Sequence, residues 1–382
     1  MTIEHADIAI VGAGPAGLSA ARTAARSGAR VVLIDDNPRP GGQIWRQGPA
    51  FAPAARLRRW LDETRAQPNL VVMNATKVAA ATGDRRLLLE REGEPLTLAW
   101  SKLILATGAR ERLLPFEGWT LPGVTGAGGL QALVKGGLPV RGERVVVAGS
   151  GPLLLAVAAT ARRHGADVRA LIEQASFGQV AKFVGSLART PGKLAQAAAL
   201  GVACYRTASV VVKAHGAARV EAVTIRTRGL DTTIEADRVA CGYGLVPNAT
   251  LALALGCAID EAGGAIRPAD ARPIRERERW RAFAGRVARA FELGVAARAM
   301  PPADTVLCRC EDVTLGAIAS HADWRDAKLQ TRCGMGPCQG RICGEAACLW
   351  FGWPRASARP PFVPIRIDTL IAARDAAAPP DA

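Results

Sequence analysis

The stretch that decides the fold of this chain runs from Asp7 to Asp35 and reads DIAIVGAGPAGLSAARTAARSGARVVLID. It opens with a short run of small and branched apolar residues, which predicts a buried strand, and continues through a glycine turn into an alanine-rich helix. A second apolar run, Val31 to Ile34, follows the helix. The pattern predicts a β-α-β unit and hence an α/β fold with a parallel sheet.

The turn carries a G-x-G-x-x-G motif at Gly12, Gly14 and Gly17. Gly12 allows the tight turn, Gly14 lets a pyrophosphate approach the backbone, and Gly17 lets the helix pack close to the strand. Asp35 ends the second strand, 21 residues after Gly14, where a carboxylate can bond a ribose hydroxyl. The helix N-terminus offers amides and a positive dipole to phosphates. The unit therefore predicts a dinucleotide site, and the alternative is a glycine-rich turn without a ligand.

A second β-α-β unit begins near Arg144. Its turn contains Gly149 and Gly151, but Leu154 replaces the third glycine, and its second strand ends at Glu173. This unit predicts a site for NAD(P) or another adenine nucleotide, or else a scaffold that has kept the fold without a ligand. If a nicotinamide nucleotide binds, Glu173 favours NAD over NADP because a carboxylate repels a 2′-phosphate.

Nine cysteines are present, and six of them lie between Cys308 and Cys348. An odd number clustered in this way argues against a disulfide framework and for a local metal site. A C-x-C pair followed by a glycine-rich C-x₄-C pair suits an iron–sulfur cluster better than zinc, whose pairs are usually spaced C-x₂₋₄-C. The predicted ligands of a [2Fe–2S] cluster are Cys308, Cys310, Cys338 and Cys343.

Other interpretations of this region stay open. Cys333 is an alternative to one of the four ligands, Cys348 is expected inside a helix, and zinc or unligated thiols are the alternatives to a cluster. A helix is predicted to begin at Glu311 and Asp312, since acidic residues favour a helix N-terminus.

Three further strings carry a family resemblance: Pro40–Gln43, the strand end Ala106-Thr107-Gly108, and Cys241–Asn248. Together with the first glycine motif they resemble the flavoprotein oxidoreductases with two dinucleotide-binding domains. The resemblance implies that the first domain binds FAD, with Gly42, Gln43, Thr107 and Gly108 beside the cofactor. It also implies two Rossmann-like domains of the pyridine nucleotide-disulfide oxidoreductase type plus a small helical C-terminal [2Fe–2S] domain.

With the cysteine region included, the chain resembles the flavoprotein subunits of multimeric amine dehydrogenases. These include the A-subunit of opine oxidase, the α-subunits of dye-linked proline or hydroxyproline dehydrogenases, and the flavoprotein subunit of hydrogen cyanide synthase. The last part resembles the [2Fe–2S] fold of bacterioferritin-associated ferredoxin. The implied function is to relay electrons from oxidation of an amine, opine or imino acid to an acceptor, within a hetero-oligomer. The implied partner is a D-amino-acid-oxidase-like flavoprotein that oxidises the substrate.

The chain departs from this family in one segment. Members carry a late strand and a Gly-Asp motif that contacts FAD, whereas here 265–273 leads directly into a charged helix expected over 275–293. The expected consequence is loss of the closing strand and of one FAD contact. Two alternative functions follow: a flavin-free iron–sulfur scaffold subunit, or an NADH-dependent flavin reductase.

The predicted division has five segments: 1–115, the first part of the FAD domain; 116–246, the second dinucleotide-binding domain; 247–300, a truncated return to the FAD domain and a helix; 301–364, the [2Fe–2S] domain; and 365–382, a tail.

Composition excludes several functions. The formal net charge is +15, but the arginines are scattered and only two tyrosines are present, so nucleic-acid binding is not expected. No run approaches the roughly 18 apolar residues of a membrane span, which favours a cytoplasmic protein. No cysteine precedes Cys204, which excludes a dithiol next to the flavin. The sequence identifies no catalytic residue.

Overall fold

The computed structural model describes residues 3–49, 51–83, 85–201, 204–257, 271–354 and 359–377. The strands are β1 (Ile3–Val11), β2 (Val31–Ile34), β3 (Leu70–Met73), β4 (Thr76–Thr82), β5 (Arg86–Arg91), β6 (Glu94–Leu105), β7 (Ala109–Glu111), β8 (Val124–Gly126), β9 (Arg144–Gly149), β10 (Asp167–Glu173), β11 (Tyr205–Arg206), β12 (Ser209–His215), β13 (Ala222–Thr227), β14 (Leu230–Glu235), β15 (Arg238–Gly242), β16 (Leu245–Pro247), β17 (Val306–Cys308) and β18 (Val313–Thr314).

The helices are α1 (Pro15–Ala25), α2 (Ala55–Arg65), α3 (Ala127–Lys135), α4 (Leu153–Arg163), α5 (Phe177–Ser186), α6 (Pro191–Leu200), α7 (Thr250–Ala254), α8 (Ala271–Ala290), α9 (Val295–Arg298), α10 (Leu315–Ala319), α11 (Trp324–Thr331), α12 (Cys343–Phe351) and α13 (Ile367–Ala377). Among the residues that the structure describes, no helix is both long and apolar enough to cross a bilayer.

The chain divides into two compact units. Unit one consists of Met1–Arg110, Pro247–Ala265 and Ser357–Ala382, and unit two consists of Glu111–Val246 and Ile266–Ala356. The five-segment division made from the sequence remains a prediction. The predicted α/β class, with Rossmann-like sheets, is confirmed.

The sheet of unit one has the strand order β3-β2-β1-β6-β5-β4. The first four strands are parallel, and β5 and β4 continue the sheet in antiparallel fashion. In β2, Val31 and Leu33 pack into one core cluster while Val32 and Ile34 pack into another. Both faces of this strand are therefore covered, which explains why its sequence is apolar throughout instead of alternating.

The long strand β6 is only partly enclosed. Its residues 97–105 pair with β1, whereas on the other side β5 pairs with 94–99. In the described ranges, no strand pairs with the carboxyl half of β6 on the side away from β1. Leu103, Ile104 and Leu105 are accordingly half-buried. The expected loss of the family's Gly-Asp segment concerns 265–273, of which 265–270 lies outside the described residues.

The C-terminal segment packs on the antiparallel part of the same sheet. The Phe362 N–H donates to the carbonyl oxygen of Ala79 at 2.8 Å. Beyond it, the buried carboxylate of Glu90 accepts from the Arg366 N–H at 2.7 Å and from the Thr369 hydroxyl at 2.8 Å. Residues far apart along the chain thereby complete unit one.

Unit two contains an all-parallel sheet of order β11-β10-β9-β15-β8 and an antiparallel sheet of order β12-β13-β14. The cysteine region adds a hairpin of β17 and β18 and the short helices α10, α11 and α12. Its apolar residues belong to the same core cluster as Trp119, whose indole N–H donates to the Val306 carbonyl oxygen. The cysteine region is therefore part of the core of unit two.

The helix start expected at Glu311 and Asp312 is wrong. Asp312 has a left-handed backbone with φ of 51°, and β18 intervenes before α10. The Thr314 hydroxyl accepts from the Ala317 N–H and so caps α10. Acidic side chains fit a helix start statistically, but a side-chain oxygen in the capping position decides where this helix begins.

Candidate functional site

The first candidate site lies at the carboxyl edge of the parallel strands of unit one. The glycine turn follows β1, Asp35 follows β2, and Ala106-Thr107-Gly108 follows β6. Ligands of open α/β sheets bind at this edge, where the strand order reverses. The neighbours of β1 are β2 and β6, which come from different parts of the chain, so the crevice opens above β1.

Close backbone contacts explain the glycines of the turn. A Cβ on Gly17 would lie 1.7 Å from the Gly12 carbonyl oxygen, and a Cβ on Gly12 would lie 2.3 Å from the Ala106 carbonyl oxygen. Neither position can hold a side chain without moving backbone. These contacts bring α1 directly against the turn, with Pro15 as its first residue.

Gly14 is different, because a side chain at this position would meet no backbone atom at a forbidden distance. A Cβ built there meets only the Gly42 Cα within 4 Å, at 3.9 Å. The backbone of Gly42 lies close to Gly14, since a Cβ on Gly42 would lie 2.9 Å from the Gly14 Cα. The two glycines form a shallow cradle in front of the α1 N-terminus, which suits an anionic group. Gln43 next to it is exposed, and its amide oxygen accepts from Arg46 at 3.0 Å.

Asp35 is almost fully buried, with 6% of its surface exposed. One carboxylate oxygen accepts from the Asn37 N–H at 2.8 Å and from the Asn37 side-chain amide at 2.9 Å, and the other accepts from the Ala13 N–H. A carboxylate has about four acceptor positions, so one remains on the oxygen next to Ala13. Asp35 thus both stiffens the turn and keeps one position for a hydroxyl donor.

Thr107 has a structural partner that the sequence did not assign. Its hydroxyl donates to the carbonyl oxygen of Asn248 at 2.7 Å, and the Asn248 side-chain amide donates to the Thr107 carbonyl oxygen at 2.9 Å. The Asn248 N–H also donates to the Gly108 carbonyl oxygen at 3.0 Å. The string ending in Asn248 was recognised by family resemblance, but its role in fastening the Thr107–Gly108 loop is visible only in the structure.

The second glycine turn lies at the carboxyl edge of the parallel sheet of unit two. Glu173 at the end of β10 is fully buried there, with 0% of its surface exposed. It accepts from the Gly151 N–H at 2.8 Å, the Ala175 N–H at 2.9 Å and the Tyr205 hydroxyl at 3.2 Å. Burial raises the pKa of Glu173, against these hydrogen bonds, which lower it. Leu154, in place of the third glycine, is buried in the core.

The third candidate site is the cysteine cluster. The sulfur atoms of Cys308, Cys333 and Cys343 lie within 4.8 Å of one another, and all three residues are buried. Cys308 ends β17, Cys343 begins α12, and Cys333 follows Arg332, the C-cap of α11. The structure therefore brings together two of the predicted ligands and the predicted alternative.

The other two predicted ligands form a second pair at the surface side of the same loop. Cys310 is exposed, and it lies close enough to Cys338 for the two side chains to interact. A Cβ on Gly336 would lie 3.3 Å from the Cys310 sulfur, so the glycine-rich loop runs directly over this residue. Cys348 lies within α12, as expected.

The donor set fits a metal or cluster. The Gly334 N–H donates to the Cys308 sulfur at 3.4 Å, a contact that stabilises negative charge on sulfur. The adjacent Cys343 thiol, and then burial, raise the pKa of Cys308. Thiols crowded in this way become thiolates when a cation replaces their protons. The open cradle at Gly14 likewise fits the phosphates of a dinucleotide.

Comparison with known proteins agrees with the α/β fold. The sequence pattern of the pyridine nucleotide-disulphide oxidoreductase family matches residues 6–272. The A-subunit of opine oxidase from Rhizobium meliloti (strain 1021) is 32% identical, over 88% of this chain and 90% of that protein. Hydrogen cyanide synthase subunit HcnB of Pseudomonas aeruginosa is 31% identical, over 87% of this chain and 90% of that protein.

The alignment with this opine oxidase protein extends over 420 positions, more than the 382 residues of this chain, so the relative has residues that this chain lacks. Among solved structures, L-proline dehydrogenase from P. horikoshii is similar in fold, with a TM-score of 0.61 at 19% identity. The similarity covers 97% of this chain and 80% of that one.

Proposed function

Because this chain belongs to the pyridine nucleotide-disulphide oxidoreductase family, we propose that it is the electron-relaying flavoprotein subunit of a multi-subunit dehydrogenase or oxidase. The substrate is an amine, opine or imino acid, oxidised on a D-amino-acid-oxidase-like partner subunit, and the electrons pass to an acceptor. A flavin-dependent oxidoreductase subunit is the class that the family and the related subunits establish. The substrate and the partner are the proposal.

The observation that carries the proposal is the combination of two sites in one chain. One is the glycine cradle beside α1, and the other is the group of five cysteines around the loop between α11 and α12. When bound, FAD accepts a hydride and a [2Fe–2S] cluster accepts single electrons. A chain with both sites can therefore connect a two-electron oxidation to a one-electron acceptor.

The residues of the chain hold these groups in distinct ways. The α1 N-terminus, Gly14 and Gly42 would receive the FAD pyrophosphate, and the remaining acceptor position of Asp35 would receive a ribose hydroxyl. We assign Cys308 with Cys343 to one iron of a [2Fe–2S] cluster and Cys310 with Cys338 to the other, because each iron needs two thiolates. Cys333 would remain as a fifth thiol against the buried pair.

A flavin-free iron–sulfur scaffold subunit is the second candidate. It is favoured by the half-buried carboxyl half of β6, which no strand covers on one side in the described part of the chain. A third candidate is an NADH-dependent reductase that uses the NAD(P)-binding type of fold in unit two. Each candidate gives a different result in one experiment.

The experiment is an absorbance spectrum of the anaerobically purified chain, followed by release of flavin on heating and by iron and sulfide assays. The proposed function predicts flavin bands together with about two irons and two sulfides per chain. Iron and sulfide without flavin would establish the scaffold function instead. Bleaching of the flavin by NADH alone would establish the reductase. Zinc in place of iron would exclude electron relay through this site.

A further inference from the structure

The crevice of unit two contains a segment of the chain itself. In nucleotide-binding folds of this type, the ligand extends between the first glycine turn and the end of the second strand, so that its pyrophosphate contacts the second glycine and its ribose contacts the acidic residue. In unit two those positions are Gly151 and Glu173. The segment Phe291–Gly294, which follows α8, lies across this gap; we call it the strap.

Hydrogen bonds hold the strap to both sides of the gap. On the side of the glycine turn, the Ser150 hydroxyl donates to the Phe291 carbonyl oxygen at 3.0 Å. On the strand side, the Gln174 amide nitrogen donates to the Glu292 carbonyl oxygen at 3.0 Å, and the Gln174 amide oxygen accepts from the Gly294 N–H at 2.9 Å. The Gln174 amide nitrogen also donates to the Ser150 hydroxyl at 3.0 Å, which connects the two sides.

The ring of Phe291 covers the second glycine. A Cβ on Gly151 would lie 3.8 Å from the Phe291 ring carbon Cγ. The ring packs edge-on against Phe183 of α5, with their centroids 5.0 Å apart. The equivalent position in unit one, Gly14, meets only another glycine within 4 Å. The neighbour of the second turn is therefore a phenylalanine, whereas the neighbour of the first is a glycine without a side chain.

The acidic residue is equally out of reach. Glu173 has 0% of its surface exposed and accepts hydrogen bonds from two backbone N–H groups and from Tyr205. Its counterpart Asp35, which also accepts three hydrogen bonds, keeps 6% of its surface exposed. Because none of the surface of Glu173 is exposed, a ribose hydroxyl could reach it only if the surrounding residues moved.

We infer that the strap closes the dinucleotide crevice of unit two, so that this chain takes no electrons from NADH or NADPH bound there. The statement about the electron donor rests on the proposed function; the closure does not. The donor is then the organic substrate or a cofactor of the partner subunit. Unit two keeps the nucleotide-binding fold because its sheet and turn support the strap and the cysteine region.

The test uses the full-length chain as purified and the probes NADH, NADPH and ADP-ribose at about 1 mM, the upper end of the range in which enzymes bind their substrates. A ligand that binds the folded state raises its Tm. The wild-type chain should show no Tm shift with any probe. The double variant Phe291→Ala/Gln174→Ala, which removes the ring and both side-chain hydrogen bonds of Gln174 to the strap, should gain a rise in Tm with ADP-ribose.

Phe177→Ala is the matched control, because this ring is 70% exposed at the start of α5 and should not change the response. If the double variant does not fold, Gln174→Ala alone serves, since it removes hydrogen bonds and leaves the ring. A Tm rise of the wild-type chain with any of the probes would overturn the inference. A folded double variant that gains no binding would also overturn it, since something other than the strap would then exclude the ligand.

These readouts are separate from the proposed function. Failure of that function would appear as missing flavin or iron in the purified chain. Because a chain without flavin leaves the crevice of unit one available to the same probes, every Tm shift is measured with Gly14→Ala added to the chain, so that a methyl group occupies that crevice and the shifts report on unit two.

Discussion

Thr107 and Asn248, 141 residues apart in the sequence, exchange hydrogen bonds in both directions: the Thr107 hydroxyl donates to the Asn248 carbonyl oxygen, and the Asn248 amide donates to the Thr107 carbonyl oxygen. The Arg110 guanidinium adds a contact to the Asn248 side-chain oxygen at 3.3 Å. This exchange fixes the loop that follows β6 at the edge where the flavin is expected.

Thr107→Val should therefore lower the free energy of unfolding by about 1 kcal/mol, because the Asn248 carbonyl oxygen loses its donor while the side-chain shape is kept. Thr107→Ser keeps the hydroxyl and should stay within a few tenths of a kcal/mol of the wild type. Urea unfolding of both variants measures the difference. Equal stability of the two variants would show that the hydrogen bond contributes nothing.

Gly14→Ala should fold normally but lose flavin. Its Cβ meets no atom closer than 3.9 Å, and the backbone φ of −71° suits any residue, so stability should change little. The added methyl group occupies the space proposed for the pyrophosphate. The readout is flavin per chain after purification, with Tm as the check on folding.

Two other glycine variants are controls for the flavin content of Gly14→Ala. Gly192→Ala, a position in α6 with nothing within 4 Å, should keep its flavin. Gly17→Ala should prevent folding of unit one, because its Cβ would lie 1.7 Å from the Gly12 carbonyl oxygen. Full flavin content in Gly14→Ala would contradict the proposed cradle.

Single cysteine-to-serine variants separate ligands from the fifth thiol. A [2Fe–2S] cluster needs two thiolates at each end, and the proposed ligands are Cys308 with Cys343 and Cys310 with Cys338. The Cys333 sulfur lies within 4.8 Å of those of Cys308 and Cys343 and is the fifth thiol in this assignment. Cys333→Ser should keep iron and sulfide at close to the wild-type content, whereas Cys310→Ser should lose most of both.

The exposed Cys257 lies outside this region, so Cys257→Ser is the control for effects of handling thiols. If Cys333→Ser lost its iron while Cys310→Ser or Cys338→Ser kept it, Cys333 would be a ligand of the cluster and the other cysteine would be the fifth thiol.

Glu90 should make the stability of unit one sensitive to acid. Burial alone would raise the pKa of Glu90, but donation from the Arg366 N–H and the Thr369 hydroxyl, with the Lys77 ammonium at 3.0 Å, holds the pKa of this carboxyl below its ordinary value. A folded-state pKa below the unfolded value of about 4.3 contributes stability that is fully present above that pH. This stability is lost as the pH falls through the folded-state pKa.

Glu90→Gln should accordingly lower the free energy of unfolding by about 1–2 kcal/mol at neutral pH, since an amide nitrogen would face donors. The difference from the wild type should stay constant above about pH 5 and shrink below about pH 4. The measurement is urea unfolding across that range, with the exposed Glu94→Gln as the control. A difference that stays constant down to pH 3 would rule out this role for the carboxylate.

Much of the architecture could be predicted because its determinants are local. The apolar runs on either side of the glycine turns predict β1, β2, β9 and β10 to within about two residues except at the N-terminal end of β1, which the structure extends to Ile3. The position of Cys333 beside Cys308 and Cys343 could not be predicted in this way, because it depends on where α11 ends relative to β17, and no spacing along the chain encodes that distance.

By itself, the sequence determined the two β-α-β units, the turn that requires glycine at Gly12 and Gly17, and the gathering of cysteines in one region. These follow from backbone sterics and from the periodicity of apolar residues, which act over a few neighbouring positions. Only the tertiary structure decided that Phe291 and the strap lie beside the second turn, whereas Gly42 lies beside the first. Both turns keep the first two glycines of the motif, but Phe291 is 140 residues away from Gly151 in the sequence, and a contact between such distant residues is set by packing of the whole unit.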